Sequence, residues 1–113
     1  MNLNPNGLGA VEIPYFNMYF TSNGTKLNVV AVVVNNSSVL AENVSLVVEV
    51  LFYDYVNEHS TNLTFDAEKL DVGDWSLVQS FVTRPEGTGW HFNVDLTVFV
   101  NGVETDYHSF GCY

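Results

Sequence analysis

From Asn43 to Tyr53, and again from Trp90 to Val100, an apolar residue recurs at every second position. A period of two is the signature of an extended strand with one buried face. In the first run Val44, Leu46, Val48, Val50 and Phe52 share one parity; in the second Phe92, Val94, Leu96, Val98 and Val100 do. Both sets are expected to face a core. No window sustains the ~3.6-residue apolar period of a helix. Instead, β-branched and aromatic runs are separated by Gly, Asn, Asp and Pro clusters every ~8–12 residues, the rhythm of an all-β domain.

The remaining strands read as Val11 to Phe20, Leu27 to Val34, a short one around Thr61 to Phe65, Trp75 to Thr83, and Val103 to Phe110. Pro14 must lie at an edge or a bulge, because it cannot donate to a ladder. Asn23-Gly24 and Asn101-Gly102 each predict a type I′ hairpin turn, whose central residues both need positive φ. Arg84 to Gly89 reads as a loop. About seven strands in about 100 residues predict a two-sheet antiparallel sandwich of immunoglobulin-like architecture. The Cys…Trp…Cys pattern of antibody domains is absent, so the likeness is one of architecture. Residues 1–9, with Pro5, Gly7 and Gly9, read as a flexible lead-in and 10–113 as a single domain.

Lys26, Lys69 and Arg84 stand against 13 carboxylates, a formal charge of −10. Three cations cannot replace a counterion atmosphere, so nucleic acid is excluded as a partner, and anionic lipid is disfavoured for the same reason. Acidic charge keeps an apolar-rich chain dispersed, and cation binding or high-salt adaptation is the alternative. Hydrophobic residues make up 47%, too many for disorder, while no apolar run approaches the ~20 residues of a membrane helix. Direct membrane insertion is therefore not expected. Cys112 is alone, so no intrachain disulfide forms; it is a spare thiol near the end of the chain or an intermolecular bridge. The first residues lack the basic and apolar regions of a secretion signal. Either the protein is cytosolic or it is an exported domain whose leader or anchor was removed.

Catalytic and metal chemistry find little purchase. His59, His91 and His108 show no metal-ligand spacing. Asp66, Glu68, Asp71 and Asp74 read as an acidic loop, solvated or weakly Ca²⁺-binding, without the spacing of a helix–loop–helix calcium site. No nucleophile elbow or phosphate loop occurs, which predicts a non-enzymatic protein with no cofactor and no metal. Asn-x-Ser/Thr triplets stand at Asn23, Asn35, Asn36, Asn43 and Asn62. Asn23 is explained by its turn; Asn35, Asn36, Asn43 and Asn62 are candidate glycosylation sites if the chain is exported.

Three segments carry a resemblance to a known group. Val33-Val34-Asn35-Asn36-Ser37 is similar to a "V-x-N-x-S" strand end, Ala41 to Val48 to the strand that follows it, and Val50-Leu51-Phe52-Tyr53-Asp54 stands where "F-x-L-Y-D" falls. Leu70-Asp71-Val72-Gly73-Asp74 resembles an "L-x-P-G-E" turn with Val72 in place of proline. Together, over roughly Leu27 to Val100, these resemble the FxLYD and CARDB group of prokaryotic cell-surface β-sandwich domains. The soluble domains of archaeal surface-filament accessory proteins are similar in kind. The resemblance implies an extracytoplasmic, often anchored module of a mostly non-enzymatic group.

The second strand is apolar on both faces. Leu27, Val29, Ala31 and Val33 take one side and Val30, Val32 and Val34 the other. The first strand divides likewise into Ile13, Tyr15 and Tyr19 against Phe16, Met18 and Phe20. A two-layer sandwich covers only one face of each sheet. Either the N-terminal segment covers the outer face, or Val30, Val32, Val34, Phe16, Met18 and Phe20 form a contact surface for a second copy or for a filament or envelope protein. The expected function is an extracytoplasmic protein-interaction module, subunit or accessory of a cell-surface assembly. The alternative is a carbohydrate- or Ca²⁺-binding module, with Trp75 and Trp90 as candidate stacking rings that otherwise pack against loops at strand starts.

Overall fold

The computed structural model describes residues 10–53, 56–86 and 91–112; the expected lead-in, Asp54, the loop tip 87–89 and Trp90 lie outside these. Seven strands follow one another: β1 Val11–Phe20, β2 Lys26–Asn35, β3 Ala41–Tyr53, β4 Glu58–Leu70, β5 Trp75–Thr83, β6 His91–Val100 and β7 Val103–Cys112. They form two antiparallel sheets, ordered β1-β2-β5 and β4-β3-β6-β7. The fold is the two-sheet β-sandwich that the alternation predicts.

The core lies between the sheets. Val44, Leu46, Val48, Val50 and Phe52 of β3 are buried against Phe92, Val94, Leu96 and Val98 of β6, and Leu27, Val29, Ala31 and Val33 of β2 close it from the other layer. β1 is stitched to the far edge of the opposite sheet: the Ile13 N–H donates to Asp106 Oδ2 (2.8 Å) and Thr105 Oγ1 donates to the Val11 carbonyl (2.8 Å). On the other side no ladder joins β4 to β5 among the described residues. A groove lined by Val33, Phe65, Ala67, Leu70, Ser76 and Val78 runs along that seam.

Three local expectations need correction. The fourth strand spans Glu58–Leu70 rather than Thr61 to Phe65, because it pairs with β3 along its whole length. Its alternation is muted: Leu63, Phe65 and Ala67 turn inward, while polar and acidic residues with little β propensity occupy the other face. The β1–β2 connection is not a two-residue type I′ turn. The Gly24 N–H donates to the Thr21 carbonyl and the Thr21 N–H to the Lys26 carbonyl, and in this hairpin positive φ falls on Gly24 (70°) and not on Asn23. Asn23 serves with its side chain, whose Oδ1 accepts from Thr21 Oγ1, Thr25 N–H and Thr25 Oγ1. Cys112 does not sit in a free tail; its backbone closes β7 opposite Phe92.

The second hairpin follows its sequence signal, with φ of 51° at Asn101 and 79° at Gly102. A Cβ added at Gly102 would meet nothing within 4 Å, so Gly102→Ala tests backbone strain alone. We expect it to cost about 1 kcal/mol in urea unfolding, without change in the slope of the transition. A neutral substitution would contradict the turn assignment.

Candidate functional site

The outer face of the β1-β2-β5 sheet is the surface that water-facing physics does not explain. β2 is central, so its outward residues have neighbours on both sides. Tyr15 pairs with Val32, Asn17 with Val30 and Tyr19 with Asn28 across β1; Trp75 pairs with Val34, Leu77 with Val32, Gln79 with Val30 and Phe81 with Asn28 across β5. The flanking side chains are open to solvent: Trp75 64%, Leu77 56%, Phe81 55%, Tyr15 52% and Tyr19 51% exposed. Val30, Val32 and Val34 lie half-buried between them. Three strands about 4.8 Å apart and about nine residues long give a face of roughly 430 Å². That matches the largest apolar patches of monomers, about 300–600 Å², which are often functional.

Of the expected contact residues, Val30, Val32 and Val34 occupy this face. Phe16, Met18 and Phe20 do not. A register shift between Glu12 and Tyr15, at Pro14, inverts the parity of β1. Upstream of it Val11 and Ile13 point inward; downstream Met18 does so, 7% exposed, with Phe16 and Phe20 packed against the core. Phe16 meets the rings of His108 (5.2 Å) and Phe110 (6.3 Å), and Phe20 meets Phe92 edge-on (5.4 Å). β1 therefore gives Tyr15, Asn17 and Tyr19 to the outer face instead. The contribution of β5 is the larger omission. Its outward row of Trp75, Leu77, Gln79 and Phe81 is visible as alternation, but its place beside β2 arises from a long crossover. Trp75 does not pack against a loop, as expected; it stands exposed on the sheet.

Charge divides between the layers. The strands of this sheet carry only Glu12 and Lys26, near opposite ends, and β5 carries no charge at all. The other sheet carries Glu42, Glu49, Glu58, Asp66, Glu68, Asp95, Glu104 and Asp106 against Lys69. Asn28 sits in the outer row yet is fully buried, its Oδ1 accepting from Gln79 Nε2 (2.9 Å) while its own Nδ2 finds no acceptor among the described residues.

The other candidates scatter. Asn35 is fully buried: its Nδ2 donates to the carbonyls of Val39 (2.9 Å) and Leu70 (2.8 Å), and its Oδ1 accepts from the Ser37 N–H (2.9 Å) and Ser37 Oγ (2.6 Å). Both amide hydrogens are in use, which removes Asn35 from the acceptor set of the folded chain. This Asn-x-Ser is a buried turn clasp. Asn36, Asn43 and Asn62 are exposed, Asn36 bonded to Glu12 (3.2 Å) and Asn43 to Asn101 (2.8 Å). The acidic quartet is not one loop: Asp66 and Glu68 lie on β4, Asp66 accepting from Ser45 Oγ (2.7 Å), and Asp71 and Asp74 flank the turn into β5. Among the described residues no three His, Cys, Asp or Glu side chains converge on a metal position. His59, His91 and His108 stand on β4, β6 and β7; His91 stacks on Tyr53 (5.7 Å) and His108 meets Asp106 (3.2 Å). Tyr107 donates to Asp95 Oδ1 (3.0 Å), and that bond holds its phenol above the ordinary value of 10.0.

Fold and face together define an antiparallel β-sandwich with one neutral, aromatic outer sheet. No family model and no curated relative matches the chain. Among solved structures it is similar to Spo0M, the sporulation control protein of Bacillus subtilis, with a TM-score of 0.52 and 14% identity over 93% of this chain. The chain spans 49% of the length of that protein, and the likeness is one of fold.

Proposed function

We propose that this domain is a non-catalytic, extracytoplasmic protein-interaction module that works through the outer face of the β1-β2-β5 sheet. The observation that carries the reading is the row of exposed Tyr15, Tyr19, Trp75, Leu77 and Phe81 around the outward valines of β2. A neutral apolar surface on a chain of charge −10 is where a partner meets least electrostatic resistance. The resemblance to cell-surface sandwich modules supports the compartment. Two of the segments that carry it lie side by side: the Asn35 N–H donates to the Asp74 carbonyl and the Gly73 N–H to the Asn35 carbonyl.

Sedimentation and partner binding of Val32→Glu test the reading. A carboxylate at the centre of the face is expected to weaken association at least about tenfold while leaving the melting temperature within a few degrees. Unchanged association would remove the face from the interface. The exposure of Trp75 on the same face as Tyr15 and Tyr19 favours one second reading, a glycan-stacking platform. Calorimetric heat with a glycan panel, lost in Trp75→Ala, would establish it in place of the first.

A further inference from the structure

Among the described residues the two sheets have four edge strands, β1, β5, β4 and β7, and three of them are blunted. β1 carries Pro14 and a bulge and is tied to β7 by Asp106 and Thr105. β4 carries Glu58, Asp66, Glu68 and Lys69, and β7 carries Glu104 and Asp106 at its start, where its register with β6 shifts. β5, Trp-Ser-Leu-Val-Gln-Ser-Phe-Val-Thr, has no charge, no proline and no irregularity in its pairing. Such edges are the ones that invite another strand.

Which of its backbone groups are free follows from the ladder. The Asn35 N–H donates to the Asp74 carbonyl and the Arg84 N–H to the Thr25 carbonyl, so even-numbered residues of β5 make the bonds to β2. The N–H and C=O groups of Trp75, Leu77, Gln79, Phe81 and Thr83 therefore point to the open edge. Their side chains lie on the exposed outer face.

We infer that the occupant of this edge is β5 of a second copy, paired antiparallel about a two-fold axis at Gln79. The inference rests on the protein-contact reading above and names its partner. In this register Gln79 faces its own copy, Leu77 faces Phe81 and Trp75 faces Thr83. Every one of these is a hydrogen-bonded pair of outward residues, and the nine-residue strand is paired from end to end. An uncharged edge offers nothing to select a charged peptide. Two copies joined here bring together the neutral sheets of chains that each carry −10, while the outward carboxylates of Asp66 and Glu68 lean off the far face of β4. The joined sheet has six strands and carries the apolar face across both copies.

The test is sedimentation equilibrium of the native chain, of Gln79→Lys, of Gln79→Glu and of their equal mixture, with melting curves as the folding control. Gln79 is exposed, and the buried Asn28 amide beside it can bond to either replacement, so both variants are expected to fold. The expected result is a dimer in the native chain, weakened at least about tenfold in each variant by like charges on the axis and restored in the mixture. A native chain that stays monomeric to millimolar concentration overturns the inference, as does a dimer indifferent to both variants. If that indifferent dimer dissolves in Val32→Glu, the strand pairing fails while the face reading stands. Should either charged variant misfold, Gln79→Cys in a Cys112→Ser background reads the same contact. Paired Cα atoms about 5.5 Å apart put the two thiols within reach of a short bis-maleimide, and cross-linking is expected to yield a covalent dimer.

Discussion

Phe52→Ala is expected to destabilise the domain by about 3–5 kcal/mol, the range for removing a fully enclosed ring from a core that relaxes only partly. Phe52 is fully buried on β3, between His59 of β4 and Phe92 of β6 in register. Those two ladders hold the backbone on both sides, so the walls of the cavity cannot close. Against a total stability of about 5–15 kcal/mol, the loss lowers the melting temperature by about 12–20 °C. Thermal unfolding followed by circular dichroism measures it, with the exposed Thr64→Ala of β4 as the comparison, expected within about 0.5 kcal/mol. A loss under about 1 kcal/mol for Phe52→Ala would mean that the shared parity of β3 and β6 does not form the core.

Asn35→Ala is expected to cost about 3 kcal/mol although it removes no apolar surface. The amide binds the β2–β3 loop through Ser37 and Val39 and reaches across to Leu70, where β4 ends. Alanine takes the side-chain donor from the buried Leu70 carbonyl and the acceptor from the Ser37 N–H, and unmade buried bonds cost more than made ones contribute. The effect should appear as a lowered denaturation midpoint with an unchanged slope. Asn36→Ala, one residue on and exposed, loses a single contact to Glu12 and should stay within about 0.5 kcal/mol. Equal effects at the two positions would show that the clasp is not structural and would return Asn35 to the set of sugar acceptors.

The two residues illustrate what was legible. Phe52 is readable from alternation, because a buried face repeats every second residue and needs no knowledge of the partner strand. Asn35 is not, because Asn-x-Ser has the same letters whether the amide faces water or a carbonyl 35 residues away. Phe16, Met18 and Phe20 fell on the wrong side for a related reason: the bulge at Pro14 inverts parity, and proline announces a bulge or an edge without saying which. The length of β4 was hidden because polar residues with weak strand preference pair well once β3 is beside them.

The sequence by itself determined the class of fold, the inward set of β3 and β6, the Asn101-Gly102 turn and the two-sided character of β2. Each depends on local steric preference or on a period along one strand. The tertiary structure alone decided which outer residues become neighbours. Tyr15, Val32 and Leu77 share one row across β1, β2 and β5 because distant segments pair in a particular register. It alone also decided that the uncharged strand lies at an open edge. Edge and centre are properties of strand order, and strand order is set by the burial of all seven strands together rather than by any one of them.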